Sequence, residues 1–177
     1  HIDVADRTSI RTAVTSIKAH LGPIDILINN AALAQEKSFL SITDTDWDLI
    51  LDSNLRGPFA CTQEVLPGMI DRGWGRIVNI ASIGGQWGGT NQIHYACAKA
   101  GLIGLTRSLA KTFSVNGVTI NAVSPGLINT DMTQVELHTA EGQKKVSAIP
   151  VSRIGTTKEV ANAVSFLVLP GSEYITG

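Results

Sequence analysis

Residues 76–82, Arg76-Ile77-Val78-Asn79-Ile80-Ala81-Ser82, decide the fold. Arg76 to Ala81 is a short apolar run, and its length and β-branched content predict a buried strand. A glycine-rich loop from Gly84 to Gly89 follows. Next comes a helix from about Asn91 to Phe113, with Leu102, Leu105 and Leu109 on one side. Upstream, Ile24 to Ile28 is a second apolar run, interrupted by Asp25, and reads as a strand buried on both faces. Downstream, Val118 to Val123 is a third strand, broken by Ser124-Pro125-Gly126.

Helical patterns separate these strands. Asp6 can cap a helix to Leu21, whose apolar stripe is Ile10, Val14, Ile17 and Leu21. Thr43 and Asp46 form a capping box before a helix running from Asp44 to about Ile70, interrupted at Gly57-Pro58 and at Pro67. Lys158 to Leu169 is a last helix. Residues 131 to 150 are polar and weakly periodic, and read as a mobile segment covering a pocket. Buried strands alternating with helices predict an α/β fold with a doubly wound parallel sheet. Ligands of such sheets sit at the carboxyl ends of the strands. Asn30, Ser82 and Pro125-Gly126 each follow a strand directly, so three strand exits point at one crevice.

Tyr95 and Lys99 are four residues apart, which places them on one face of the Asn91–Phe113 helix. An ammonium beside a phenol favours the phenolate and is expected to lower a pKa that starts near ~10. A serine hydroxyl such as that of Ser82 can hold a carbonyl oxygen beside that proton donor. Asn54 has two readings. It is a solvent-facing residue next to the Gly57-Pro58 break, or it holds a water near Lys99 that relays protons. Asp3 and Val4 are read as a strand end, where the carboxylate either accepts from an adenine amino group or caps the next helix. Asn30-Ala31-Ala32 either admits a flat ligand or makes a tight turn. His94 is read without a catalytic role, because no Asp or Glu stands near it in sequence. His20 and His138 show no metal-ligand spacing, and no metal is expected.

The chain has 177 residues with a formal net charge of −1, which offers no bulk electrostatic case for nucleic acid. No apolar run approaches the ~20 residues of a membrane helix, and no secretory pattern opens the chain. Cys61 and Cys97 lie in helix-like segments and fit a reduced, cytoplasmic setting, with Cys97 as a packing residue. Both ends look cut. His1-Ile-Asp-Val4 reads as the end of a strand, and Tyr174 to Gly177 stops where another strand begins. Residues 1–177 are therefore expected to form one truncated domain.

Taken together, these motifs resemble the classical short-chain dehydrogenase/reductases over essentially the whole chain. Asp3-Val4 is similar to the family's adenine-contacting pair. Asn29-Asn30-Ala31-Ala32 is similar to its Asn-Asn-Ala-Gly element, with Ala32 in place of glycine. Asn54, Ser82, Tyr95 and Lys99 match its catalytic tetrad. Ser124-Pro125-Gly126, with Ile128 and Thr130, resembles the segment that meets the nicotinamide and its phosphates. The resemblance implies a Rossmann-type sheet whose N-terminal strands and last strand are missing. It implies a cofactor, NADP or NAD with NADP favoured, held by Asp3, Val4, Asn30, Ala31, Ala32, Tyr95, Lys99, Pro125, Gly126, Ile128 and Thr130. The Gly-rich pyrophosphate turn and the residues that select NAD or NADP are absent, so this piece alone is expected to bind dinucleotide poorly.

Within the family, Ala98 to Gly104, Pro125 to Met132, Arg153-Ile-Gly155 and Tyr174 to Gly177 are similar to 3-oxoacyl-[acyl-carrier-protein] reductases of fatty acid biosynthesis. Sugar, polyol and steroid dehydrogenases share these stretches, and an inactive interaction module is a further alternative. A ketone-bearing small molecule, free or linked to acyl-carrier protein, is the implied substrate. An acidic carrier needs a basic surface. The resemblance places it in the loops that here read Asp71-Arg72-Gly73-Trp74 and Val115-Asn116-Gly117, where only Arg72 is positive. A homotetramer is implied too. Gly101 and Gly104 beside Leu102, Leu105 and Leu109 would allow helices of two subunits, or elements within one, to approach closely. Gln86, Trp87 and His94 are candidates to line the pocket.

Overall fold

A computed structural model of the chain describes residues 1–177, apart from the side chains of Val135 and Glu136. Three strands, β1 (Ile26–Asn29), β2 (Gly75–Ile80) and β3 (Val118–Val123), form one parallel sheet in the order β1-β2-β3. In register, Leu27 stands beside Ile77 and Ile77 beside Ile120. The three strands pair in sequence order, with helical crossovers between them.

The first crossover is α2 (Asp44–Leu51), a π turn (Asp52–Arg56) and α3 (Gly57–Arg72). The capping box forms: Thr43 accepts from the Asp46 N–H while the Asp46 carboxylate accepts from the Thr43 N–H. The expected interruption at Gly57-Pro58 takes a specific form. Pro58 has no N–H for the Asn54 carbonyl, and the backbone widens so that the Gly57 N–H reaches Asp52 instead. Gly57 is required by close approach, since a Cβ there would lie 2.8 Å from the Val4 carbonyl oxygen. Pro67 does not break the helix but sits inside α3. The helix ends at Gly73, whose φ of 64° is left-handed.

The second crossover is a single-turn helix α4 (Gly84–Trp87) and α5 (Ile93–Phe113). The helix α1 (Arg7–Leu21) is capped by Asp6, which accepts from the Thr8 N–H, and packs on α3. Arg7 and Arg11 both reach Glu64 there. Ile10, Val14, Val65, Met69, Ile77, Val118 and Ile120 form the core of this face. Full burial of side chains this size contributes about 1.5–3 kcal/mol each. Beyond β3 come α6 (Gln134–Leu137), α7 (Ala140–Ser147) and α8 (Thr157–Val168), and α8 covers the opposite face of β2 and β3.

Several expectations need correction. His1–Val4 is not a strand end; no ladder pairs it, and Val4 begins a turn. The strand β1 is not buried on both faces. Ile26 is 44% and Ile28 37% exposed, because α8 lies over its two neighbours. In α1 only Ile10 and Val14 of the stripe are buried; Leu21 is exposed. Residues 131–150, read as mobile, contain the two short helices α6 and α7. Cys97 is exposed rather than packed.

Candidate active site

The three strand exits converge as expected. Past the end of β2, the Ala81 N–H donates to Val123 (2.8 Å) and the Ile83 N–H to Pro125 (3.1 Å). The ladder thus carries Ser82 and Pro125 out together. The Ser82 Oγ accepts from the Gly84 N–H (3.1 Å), which turns the chain into α4. Helix α4 then lies on α5. A Cβ on Gly85 would come within 2.7 Å of the Lys99 carbonyl carbon. This contact brings the Ser82 loop against the turn of α5 that carries Tyr95 and Lys99.

Lys99 is 2% exposed. Its Nζ donates to the Ile80 carbonyl at 2.7 Å and lies 5.6 Å from the centre of the Tyr95 ring. The Ile80 carbonyl is two residues from Ser82, so the hydroxyl, phenol and ammonium occupy one side of the β2 exit. The electrostatics differ from the expectation. Burial pushes the Tyr95 phenol up, and a hydrogen bond from Ser82, which draws it down, is the weaker influence. Burial also brings Lys99 from 10.5 down to about 8. Both groups lose hydration, so the phenol starts as a firmly protonated donor rather than an acidified one.

Asn54 is fully buried, which excludes the solvent-facing reading. It sits in the π turn, and its Nδ2 donates to Leu33 and to Ile50, each at 2.8 Å. It therefore ties the β1 exit loop to the helix, and its Oδ1 is buried with no partner among the described residues. Asn30 and Ala31 are exposed and Ala32 half-buried on that loop. The Asp3 Oδ1 accepts from the Ala5 N–H (2.9 Å), so the helix cap is Asp6 and not Asp3. Ile128 pairs with Gly155, and the Thr130 N–H donates to Thr133 Oγ1 at 3.1 Å.

Sequence reading missed three features. Asn29 donates to Asn79 (2.8 Å) and Asn79 to Thr106 (2.9 Å), a buried chain beneath the β1 and β2 exits. Thr133 holds the Ile128–Thr130 segment by donating to the Ile128 carbonyl at 2.6 Å. His94 is fully buried against Gln35 rather than lining a pocket, while Trp87 is 81% exposed. A polar residue inside an apolar run, as Asn79 is, was the signal available for the first.

The family described as enoyl-(acyl carrier protein) reductase matches residues 1–177. The chain is 42% identical over 175 residues to nodulation protein G of Azospirillum brasilense. It is 44% identical over 175 residues to acetoacetyl-CoA reductase of Cupriavidus necator. Over 176 residues it is 45% identical to 3-oxoacyl-[acyl-carrier-protein] reductase FabG of Aquifex aeolicus. Each match covers 99% of this chain and 71% of the relative. The chain is a short-chain dehydrogenase/reductase. As a member of that family it is a nicotinamide-dependent oxidoreductase, and its parallel sheet with helices on both faces is the Rossmann-type arrangement. The residues of this short-chain dehydrogenase/reductase are of a kind that fits the cofactor. Lys99 has three N–H donors, and one has a partner among the described residues, the Ile80 carbonyl. Gly126 has open space, the nearest atom to a Cβ there being Ile83 Cδ1 at 3.8 Å. No helix among the described residues is long and apolar enough to cross a membrane.

Proposed function

We propose that the chain reduces a ketone to a secondary alcohol, and runs the reverse oxidation, with Tyr95 as the proton donor. The gathering of Ser82, Tyr95 and Lys99 at the β2 exit carries this reading. Nicotinamide, when bound, supplies the hydride that reaches the carbonyl carbon. Ser82 donates a hydrogen bond to the carbonyl oxygen as negative charge develops there. The Tyr95 hydroxyl gives that oxygen its proton, and the Lys99 ammonium stabilises the phenolate left behind. Asn54 orders the water that returns a proton to Lys99. Asp3, Val4, Asn30, Ala31, Ala32, Pro125, Gly126, Ile128 and Thr130 hold the cofactor, together with Tyr95 and Lys99. NADP is the form proposed.

The matched family's description names an enoyl substrate, whereas the FabG and acetoacetyl-CoA relatives are named for reducing carbonyls. A hydroxyl and a phenol converging on one point suit a carbonyl oxygen better than a carbon–carbon double bond. A 3-oxoacyl thioester is the substrate class proposed. A second reading concerns its carrier. Arg72, the one cation in the two loops read for carrier protein, is bound to the Asp25 carboxylate (2.8 Å) and the Ile24 carbonyl. Those loops also precede β2 and β3, at the end of the sheet opposite Ser82 and Pro125. This favours a coenzyme A thioester or another small ketone over acyl-carrier protein.

Residues 1–177 are proposed as one domain of a cytoplasmic homotetramer. A shallow groove of about 270 Å³ lined by Leu51, Leu55, Phe59 and Leu105, together with Asp52 and Arg56, supports an intersubunit contact. Gly104 beside it is open, whereas the space at Gly101 is already taken by Leu55. Light scattering of the complete protein tests the assembly, and a monomer would refute it. The chemistry is tested with Tyr95→Phe in the complete protein. Turnover is expected to fall about 10²–10⁴-fold with cofactor binding retained; undiminished turnover rejects the assignment.

A further inference from the structure

His94 and Gln35 belong to a polar chain that the proposed chemistry does not use. The Lys37 Nζ lies 2.6 Å from Asp46 Oδ2, and the Gln35 Nε2 donates to Asp46 Oδ1 at 2.8 Å. The Gln35 Oε1 is then turned toward His94, whose Nε2 lies 3.0 Å away. An ionised carboxylate only accepts, so it fixes the Gln35 amide with nitrogen toward Asp46 and oxygen toward the ring. His94 must therefore carry its proton on Nε2. The ring is fully buried, and its Nδ1 has no partner among the described residues. The Lys37 N–H also donates to the Asn91 carbonyl (2.8 Å), just before α5 begins.

This chain joins three elements: the loop after β1, the start of α2, and the start of the helix bearing Tyr95 and Lys99. Helix α5 is held by its own hydrogen bonds and by the sheet. Residues 30–38 of the loop have no regular structure, and their side-chain ties to the rest of the fold include those from Asn54 to Leu33, from Gln35 and Lys37 to Asp46, and from Gln35 to His94, beside the Lys37–Asn91 backbone bond. We infer that His94 and Gln35 are positioning residues that set the distance between the cofactor-facing residues Ala31 and Ala32 and the Tyr95 helix. The inference rests on the proposed dinucleotide site. It assigns these two residues an effect on cofactor affinity and none on proton transfer.

The test uses the complete protein with His94→Phe, Gln35→Met and the conservative His94→Gln. Phenylalanine keeps the ring volume without a donor, and glutamine restores an N–H near the Nε2 position. Cofactor affinity is read by calorimetry and the exchange rate of the Ala31–Leu33 amides by mass spectrometry. His94→Phe and Gln35→Met are expected to weaken cofactor binding about tenfold, about 1.4 kcal/mol, and to speed that exchange. Turnover at saturating cofactor should stay within about twofold, and His94→Gln within about threefold of wild type in affinity. Unchanged affinity in Gln35→Met, a half-buried site whose replacement leaves the core intact, overturns the inference. So does a loss confined to turnover. A parallel Tyr95→Phe arm reports separately: full turnover there sinks the proposed chemistry while leaving the affinity result standing.

Discussion

Lys99 offers the most direct physical test of the site, because its burial has a pH signature. Burial lowers its pKa from 10.5 to about 8. The unfolded chain therefore holds a proton on this residue between about 8 and 10.5 that the native state has released. Stability rises with pH across that window, and the cost of the buried charge is paid in full below about 8. Each pKa unit is worth about 1.4 kcal/mol, so the cost at pH 7 is about 3 kcal/mol. Lys99→Met removes the charge and keeps most of the stem. It also strips the Ile80 carbonyl of its 2.7 Å donor, a loss of about 1–3 kcal/mol that does not vary with pH. At pH 7 the two effects oppose each other, leaving Lys99→Met between level with wild type and about 2 kcal/mol more stable. Between pH 7 and pH 10 wild type should gain about 2.5 kcal/mol relative to Lys99→Met. Urea unfolding of both proteins at pH 7, 8, 9 and 10 measures this gain. Parallel curves within about 0.5 kcal/mol, or a difference that moves the other way, would refute the claim that Lys99 is a buried, destabilised cation.

Two further substitutions probe what holds the site. Gly85→Ala sets a methyl 2.7 Å from the Lys99 backbone, which cannot yield as a side chain tip would. A stability loss of about 1–3 kcal/mol and at least a tenfold fall in turnover are expected from denaturation and steady-state kinetics; wild-type values for both would show that the α4–α5 contact does not position the site. Asn79→Ala leaves Asn29 and Thr106 without their shared partner. Its cost should be about 1–3 kcal/mol by urea unfolding, and a neutral result would show that water replaces the amide.

Which features could be read in advance follows from how far apart the interacting residues lie. Strands β2 and β3 and helix α5 were readable because their apolar patterns are strong and local. The capping box at Thr43 and Asp46 joins residues three apart and was equally plain. The exposure of Ile26 and Ile28 was not, because burial of a strand's face depends on where a helix some 130 residues later comes to lie. His94 gave the same difficulty at the site. The Asp46 carboxylate reaches it through Gln35, 59 residues away in sequence. Asn54 was ambiguous for a similar reason, since only folding brings the Leu33 carbonyl to it. The Tyr-Lys spacing correctly placed two side chains on one face. It carried no information about hydration, which decides the direction in which each pKa moves.

A phenol raised by burial is a poor base near neutral pH and remains available as a donor. In the proposed chemistry, such a phenol can act as the proton donor in carbonyl reduction at neutral pH, whereas oxidation would need it deprotonated first. The Lys99 ammonium is present below about 8, where in the proposed chemistry it would favour the phenolate formed when Tyr95 gives up its proton. Above that pH the lysine neutralises first, because Tyr95 is raised while Lys99 is lowered. The phenolate then forms without its counter-charge. If the proposed roles hold, reduction is expected to slow as pH rises past about 8, before the phenol itself titrates; a turnover rate that stays flat through that range in the complete protein would refute this role for Lys99.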